Sequence, residues 1–585
     1  DSVTLNSKRQ DISIYGSVTA TDGDVEIASG DADIEILGKI TATPTGQKTV
    51  IDGIHASNST ISFDINSVRD KNSSVARIES AYRAETSSTQ DGDIEISSNG
   101  TADVLFGHLG NGAIVVGADG QFTVSGAESV YVDSDLSGVK GNISLSSTNG
   151  EVLLDVTNIA VNGTNGGNKE LSEFLDNYTE ATGHSITLNS GIDDHKITID
   201  MWDDANSVFN LDKYDYDGKS LAQRISSLNI LNGSGDKLQG SDVTYIWVNS
   251  AEQLDGIQKY QNAHSGSGIL GYNFALKDNI DASVLTEYEA IGTKTANGFT
   301  GSFDGRNYRI VGLSVGEKYE DGKGNTPPSS GIFSSVGQGG TVENLRVYGS
   351  SFYGMDYAGA IAGKNEGTIS NITTLGNHVE VFGSDQSTEL DRRDPSTSAI
   401  YQAHVGAAGG IVGLNKGTIS DITVSDSIIA GSSGEGILTG NILATAGGIS
   451  GINEGSISNV TADSAITANE ADTYSLGGIA GYNSQNGKID NAFNTGVTHG
   501  EYGDGNITSN SVGGIVGVNV GSVSNVFNSS DVTGGDYVGG VVGYNSVYGT
   551  ISDSGKISNA SPFWPYCSNA RWALYRRLYS PPAAS

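Results

Sequence analysis

Cysteine is almost missing from this sequence: one residue in 585, Cys567. That excludes a disulfide-stapled scaffold and any thiolate metal site. Proline is scarce at 8, and so are tryptophan at 4 and methionine at 2; collagen needs far more proline and a strict glycine period. Basic residues number 32 against 68 acidic ones, a net charge of −36, which repels nucleic acid and anionic lipid at long range. No run of about 18 apolar residues occurs, so nothing in the sequence reads as a membrane-spanning helix. What is plentiful is glycine, 81 of 585 residues, about twice the ordinary share. Hydrophobic residues, 36% of the chain, are spread along nearly its whole length, so it buries a thin core and is no disordered acidic tail. With Asp1 first and no signal segment, the sequence reads as an internal piece of a longer precursor.

The glycines belong to a repeat. From 359 to 553 the pattern G-G-[IV]-x-G-x-N-x-G-x-[IV]-x-[ND] returns six times: Gly359 to Asn371, Gly409 to Asp421, Gly447 to Asn459, Gly477 to Asn491, Gly513 to Asn525 and Gly539 to Asp553, after a degenerate copy from Gly331. Its apolar residues Ile361, Ile411, Ile449, Ile479, Ile515 and Val541 are spaced 50, 38, 30, 36 and 26 apart. A constant motif with a variable period describes a solenoid unit carrying inserted loops. Within each copy the apolar alternation has period two, which makes short strands separated by a glycine turn. Such strands hold together only when stacked in parallel, as an all-β, right-handed parallel β-helix with an irregular insertion. Asn365, Asn415, Asn453, Asn483, Asn519 and Asn545 recur in step with the motif. They read as a structural element, a left-handed turn or a stacked amide ladder, rather than as a row of ligand-binding amides.

The first part repeats differently. Asp22-Gly-Asp-Val-Glu-Ile27 returns as Asp91-Gly-Asp-Ile-Glu-Ile96, with echoes at 32–36, 141–145 and 150–154. Between the two repeat regions the pattern is irregular. Asn168–Thr182 and Ser250–Tyr260 have helical spacing, the second opening on the capping pair Ser250 and Gln253, and Asp217–Gly240 reads as loop. The expected division is 1–162, β-helix repeats whose Asp-Gly-Asp coils resemble haemagglutinin repeats; 163–260, an irregular insertion or junction; 261–345, a leading β-helix segment; 346–560, six repeats; and 561–585, an atypical tail. That tail holds Cys567, four prolines and three arginines but no acid, and is read as a frame-shifted or vector-derived end outside functional reasoning.

Tyr272-Asn-Phe-Ala-Leu-Lys-Asp-Asn-Ile-Asp-Ala-Ser283, Tyr288-Glu-Ala-Ile-Gly292 and Phe299-Thr-Gly-Ser-Phe-Asp-Gly-Arg-Asn-Tyr-Arg-Ile-Val-Gly-Leu313 lead into the glycine repeats. This order resembles the GLUG-motif region of filamentous-haemagglutinin-type and high-molecular-weight bacterial adhesins, over about residues 245–555. The resemblance implies a passenger exported by two-partner (type V) secretion through an outer-membrane barrel, its partner in export, and displayed at the bacterial outer-membrane surface or released. It implies attachment to a host glycan or surface protein and no catalysis. A chain without disulfides and folding coil by coil suits that route. At roughly 20–25 residues per coil and about 4.8 Å of rise, it predicts a monomeric rod on the order of 110 Å.

Other readings stay open: a β-helical polysaccharide-active enzyme, a non-catalytic spacer of a larger surface protease, or a haem-acquisition exoprotein of the same secretion class. GLUG repeats occur in zinc proteases, but no His here is followed by Glu, so H-E-x-x-H is absent. His184 and His195, near Asp193 and Asp194, are a weak metal pattern. Asp193, Asp194 and Asp200, or Asp391 and Asp394, are the carboxylate groupings a glycosidase would need, though 68 acids make such groupings by chance. No cofactor is expected. Calcium is the nearest alternative, at the paired carboxylates Asp22 and Asp24, Asp91 and Asp93, or Asp215 and Asp217, none of which completes a calcium-loop pattern.

The candidate ligand-binding residues are Tyr348, Phe352, Tyr353 and Tyr357 before the first full copy, and Arg392, Arg393 and Tyr401 in the longest spacer, Gly376–Gly406, which should project. Asn-x-Ser/Thr sequons stand at Asn58, Asn72, Asn99, Asn142, Asn162, Asn177, Asn232, Asn371, Asn459, Asn506, Asn528 and Asn559. The resemblance implies N-linked hexoses at some of them.

Overall fold

In a computed structural model, the protein is a parallel β-helix. The structure describes the backbone of strands between residues 3 and 116, and most of 121–552 with side chains; outside the described residues lie the links between the early strands, a few short connections, and 157–168, 212–217, 265–267, 319–324, 383–387, 394–399, 431–441, 469–472, 501–510, 553–559 and 563–585. Two compact units part between Trp247 and Val248.

In the first unit three parallel sheets run through successive coils. The longest begins Val3–Ser7, Val25–Ser29, Ile61–Ile65, Ile94–Ser98, Gln121–Gly126 and Asn142–Ser147. Strand Asn142–Ser147 shows why: Ile143 and Leu145 alternate inward while Asn142 and Ser144 face out, the period-two pattern of a half-buried strand. Ile27, Phe63, Ile96, Val124, Leu145 and Leu188 form one column. The strands that follow the two Asp-Gly-Asp motifs, Val25–Ser29 and Ile94–Ser98, are therefore two steps apart in one sheet, which also holds the echo strand Asn142–Ser147. The echoes at 32–36 and 150–154 belong to other faces, since Ile34–Ile36 pairs with Ile12–Ile14, and Val152–Asp155 with Val130–Asp133.

The segment read as an insertion also lengthens these sheets. Ile186–Asn189, His195–Ile199, Ile230–Leu231 and Thr244–Val248 each pair in register with an earlier strand. Helix Lys169–Asn177 precedes these strands and is shorter than the 168–182 expected. The 217–240 stretch, expected as loop, contains helix Leu221–Ser226, whose Ser220 and Gln223 make a complete capping box.

The second unit opens on helix Ala251–Ala263. The Ser250 side chain accepts the Gln253 N–H, while Gln253 Oε1 takes the N–H of Asn249, one residue earlier than a capping box requires. Phe274, Phe299, Phe303 and Phe333, all fully buried, then pack ring against ring. From Tyr357 each coil has a strand ending in Gly (Tyr357–Gly359), one ending in Asn (Ala362–Asn365) and a long third side, which is one strand in the first two coils (Thr368–Val381, Thr418–Ala430) and two in the next (Ser456–Ala462 and Ala465–Ala468). Ile361, Ile411, Ile449, Ile479 and Ile515 are fully buried at the first corner. There the N–H of each donates to the carbonyl of its counterpart in the next coil, at 2.8–3.1 Å, ending on Val541. Coils of 26 to 50 residues exceed the 20–25 assumed from sequence because most of the excess is spacer.

Candidate binding surface

Corner lengths decide where variation goes. The Gly-end corner is two residues in every copy (360–361, 410–411, 448–449, 478–479, 514–515, 540–541), and the Asn-end corner two or four. The third corner, between the long strand and the next coil, takes 382–399, 431–441, 469–472, 501–510 and 535–536. In these copies every long spacer thus falls between strand ends at one corner.

The fixed corners are held by amide chemistry. Asn365 Nδ2 donates to Asn415 Oδ1 at 2.9 Å, and the series continues through Asn453, Asn483, Asn519 and Asn545 at 2.8 Å per step. The first five are fully buried. The left-handed conformation is at the motif's last residue instead: Asn344, Asn371, Asp421, Asn459, Asn491 and Asn525 have φ of 51–58°. Several of these are joined in a second, outer ladder: Asn371 Nδ2 donates to Asn344, Asn459 to Asp421, and Asn491 to Asn459 at 2.8 Å, while Asn525 turns to Asp490.

A third column lies where the long strand bends. The backbone N–H of Ser350 donates to Asn377 Oδ1, that of Asn377 to Asp426 Oδ1 and that of Asp426 to Ser464 Oγ. Asp426 also accepts from Thr374 Oγ1 at 2.6 Å and Asn377 Nδ2 at 3.1 Å. Burial pushes its carboxyl up to about 6 despite these donors. A carboxyl raised on folding binds its proton more tightly when native, so this site's stability is present near pH 4 and is lost as pH rises through about 6. Asp426→Asn, which copies Asn377, is expected to remove that slope and to stabilise the protein at pH 7.5 by up to about 3 kcal/mol. Urea midpoints at pH 4.5 and 7.5 test this; an unchanged pH dependence in the variant contradicts it.

Two of the candidate ligand residues are corrected. In Ser351–Gly354 the alternation turns Phe352 inward, fully buried. Tyr357 is 2% exposed in an apolar seam with Ala407, Leu414, Ile452 and Tyr482, and Lys364 Nζ lies 4.6 Å from its ring centre. Tyr348 and Tyr353 are half-buried. Tyr353 lies 5.4 Å from the His378 ring, which in turn is 3.0 Å from Glu380 Oε2. Arg392 and Arg393 stand opposite Tyr401 and Ile400 in an antiparallel hairpin, Thr388–Arg393 with Ile400–Val405, at the corner that takes the spacers. Their side chains lie outside the described residues.

Among the sequons, Asn528 is corrected. It is fully buried, accepting from Asn494 at 2.9 Å and donating to Ser530 O at 3.1 Å, so the folded protein leaves no room for a hexose. Asn371 and Asn459 are exposed, with their amides engaged by Asn344 and Asp421. Asn142, Asn177 and Asn232 are half-buried and hydrogen-bonded. Asn58, Asn72, Asn99, Asn162, Asn506 and Asn559 lie outside the described residues, as do Asp22, Asp24, Asp91, Asp93, Asp215 and Asp217.

Asp193, Asp194 and Asp200 do not converge as a carboxylate pair would. Asp193 has φ of 58°, Asp194 pairs with Lys196 at 2.6 Å, and Asp200 accepts the Trp202 N–H at 3.0 Å. Burial holds His195 below the usual imidazole range although Asp193 and Asp194 oppose it. Among the described residues no three His, Cys, Asp or Glu side chains group as a metal set.

No protein-family model matches the chain. It is similar to "Halomucin" of Haloquadratum walsbyi, 34% identical over 111 residues, which are 18% of this chain and 1% of that protein. It is also similar to a "Putative Gly-rich membrane protein" of Evansella cellulosilytica, 29% identical over 144 residues, 23% of this chain and 15% of that one. The chain thus spans a small part of either relative. A crystal structure titled as a "putative immunoglobulin A1 protease" from Bacteroides ovatus aligns over 54% of this chain and 84% of its own at 19% identity, with a TM-score of 0.35.

Proposed function

We propose that the chain is the β-helical passenger of a secreted, surface-displayed bacterial adhesin that binds host glycan or protein without catalysis of its own. The observation that carries this reading is that, in the six glycine-repeat copies, every long spacer falls between the described strand ends of one corner while the other two corners stay short. A rigid scaffold presenting variable loops along one edge is how binding surfaces are built on repeat proteins. Arg392, Arg393 and Tyr401 sit in the longest of these loops and are its proposed contact residues. The GLUG-type resemblance, and export through an outer-membrane barrel, belong to the same proposal.

The test is a variant in which residues 385–402 are replaced by a short Gly/Ser link. Spacer length is cheap for the fold, each doubling costing only about 0.6 kcal/mol. Circular dichroism and urea midpoint should therefore match the parent, while retention on host cells and on a glycan and matrix-protein array falls at least several-fold. Undiminished retention, or cleavage of the arrayed glycans by the parent chain, contradicts the proposal.

A further inference from the structure

The outer face of the long third strands carries a column that the loops do not use. Thr373, Thr423, Thr461, Phe493 and Phe527 are successive partners in register, one per coil. The two phenylalanine rings stack 4.9 Å apart with planes 4° from parallel, and Phe493 is 37% exposed. A side chain on a sheet stands roughly perpendicular to it, so stacked rings turn their faces along the column. Phe527 covers one face of Phe493. On the other side the neighbour is only Thr461, and a threonine is too short to cover a phenyl ring. The result is a step: an aromatic wall at the end of a floor of three threonines, about 10 Å long at the usual strand spacing.

The flanks are polar, and two exposed acids stand in them: Asp421, two residues before Thr423, and Asp463, two residues after Thr461. Two residues before each column position stands the outer ladder, in which Asn491 donates to Asn459, and Asn525 to Asp490, both at 2.8 Å. On that side the carboxylate of Asp421 accepts from Asn459 at 3.1 Å, and that of Asp490 is engaged by Ser524 Oγ at 2.6 Å and by Asn525. Val497, 54% exposed, adds apolar surface on the Phe493 coil; Asp531, an exposed acid, lies past the bend on the Phe527 coil. The five column positions from Thr373 to Phe527 carry no ionisable side chain, although Arg346 precedes Thr373 in register; with acids on both flanks of the threonines and a net charge of −36, the floor suits an uncharged partner. An anionic one is repelled by the surrounding field.

An aromatic face, a row of hydroxyls and a border of amides and carboxylates together match one ligand chemistry. A sugar ring lays its C–H face on an aromatic ring and offers hydroxyls to short polar side chains, the usual mix of apolar contact and a few placed polar groups. The geometry points to a binding site for a neutral oligosaccharide, lying along Thr461, Thr423 and Thr373 with one sugar against the open face of Phe493. The site goes beyond the spacer loops and is independent of them.

The experiment uses the whole 585-residue chain, immobilised and probed with neutral gluco-, galacto- and N-acetylhexosamine oligosaccharides, with sialylated oligosaccharides as the charged control. Retention of at least one neutral series is expected. Phe493→Ala should weaken it about tenfold, Phe493→Tyr should restore most of it, and the 385–402 replacement should leave it unchanged. Circular dichroism and urea midpoints of both point variants show that the coil is intact. Failure of the parent to retain any neutral series overturns the proposal, as does retention by Phe493→Ala equal to the parent's. So does a concentration-dependent dimer, seen by sedimentation, that Phe493→Ala disperses, since the step would then be a contact between copies. Loss of host-cell binding by the loop replacement alone bears on the adhesin reading and not on this site.

Discussion

Gly481→Ala is expected to lower the stability of the second unit by about 3 kcal/mol or more. A Cβ at this position would meet Ser475 O at 2.7 Å, Ala446 N at 2.8 Å and Gly451 O at 2.8 Å. All three are backbone atoms, and two belong to the preceding coil. A flexible side chain can swing away from an added methyl; a carbonyl held in a parallel ladder can move only by disturbing that ladder. Ser475 Oγ already donates to Gly481 O at 2.6 Å, so the two strands are pinned together where the methyl would enter. Because each coil is stabilised mainly by its neighbours, the strain spreads to the coils of Gly451 and Gly517, which are just as crowded. Urea unfolding followed by circular dichroism measures the loss, with the exposed Thr418→Ala as control, expected within about 0.5 kcal/mol of the parent. A Gly481→Ala midpoint indistinguishable from that control contradicts the packing described above.

The second large effect is expected in the inner ladder. Asn453 accepts from Asn415 and donates to Asn483, each at 2.8 Å, and is fully buried. Asn453→Ala leaves an N–H of Asn415 without its acceptor and Asn483 Oδ1 without its donor. An unsatisfied buried polar group costs about 1–3 kcal/mol, so the loss should be about 3–5 kcal/mol. The chain end of the ladder provides the contrast. Asn545 is exposed, receives one ladder bond from Asn519 and sends its own amide to Gly549 O at 3.1 Å, so water replaces what alanine removes there and about 1 kcal/mol or less should be lost. Equal midpoints for Asn453→Ala and Asn545→Ala would show that burial of the ladder contributes nothing.

The repeat was legible because its two strictest demands are residue-specific. Only glycine fits where backbones nearly touch, as at Gly481, and an amide is both donor and acceptor, so it can repeat indefinitely in a ladder, as at Asn365 to Asn545. What the sequence hid was facing. Phe352 and Tyr357 look alike in a tyrosine-rich spacer, yet one points into the core and the other into a seam under Lys364. Their partners come from other coils, tens of residues away. The pairing of Phe493 with Phe527 is hidden for the same reason, the two being 34 residues apart. The signal was there: each lies two residues past the last position of the motif, after Asn491 and Asn525, where earlier copies carry Thr373, Thr423 and Thr461. Extending the motif by two positions exposes that column. Helix Leu221–Ser226 was hidden by its shortness, although Ser220 and Gln223 carry the same Ser-x-x-Gln spacing recognised at Ser250.

The single corner that takes the spacers also determines how such a protein can change. Closing a loop costs roughly (3/2)RT ln n, so growth from the two residues of 535–536 to the eighteen of 382–399 costs about 2 kcal/mol and disturbs no ladder. Length and composition at that edge are therefore nearly free to drift, be exchanged between copies or be grafted, while the Gly, Ile and Asn columns are not. The molecule separates what must be kept from what can be tried, and does so at every coil.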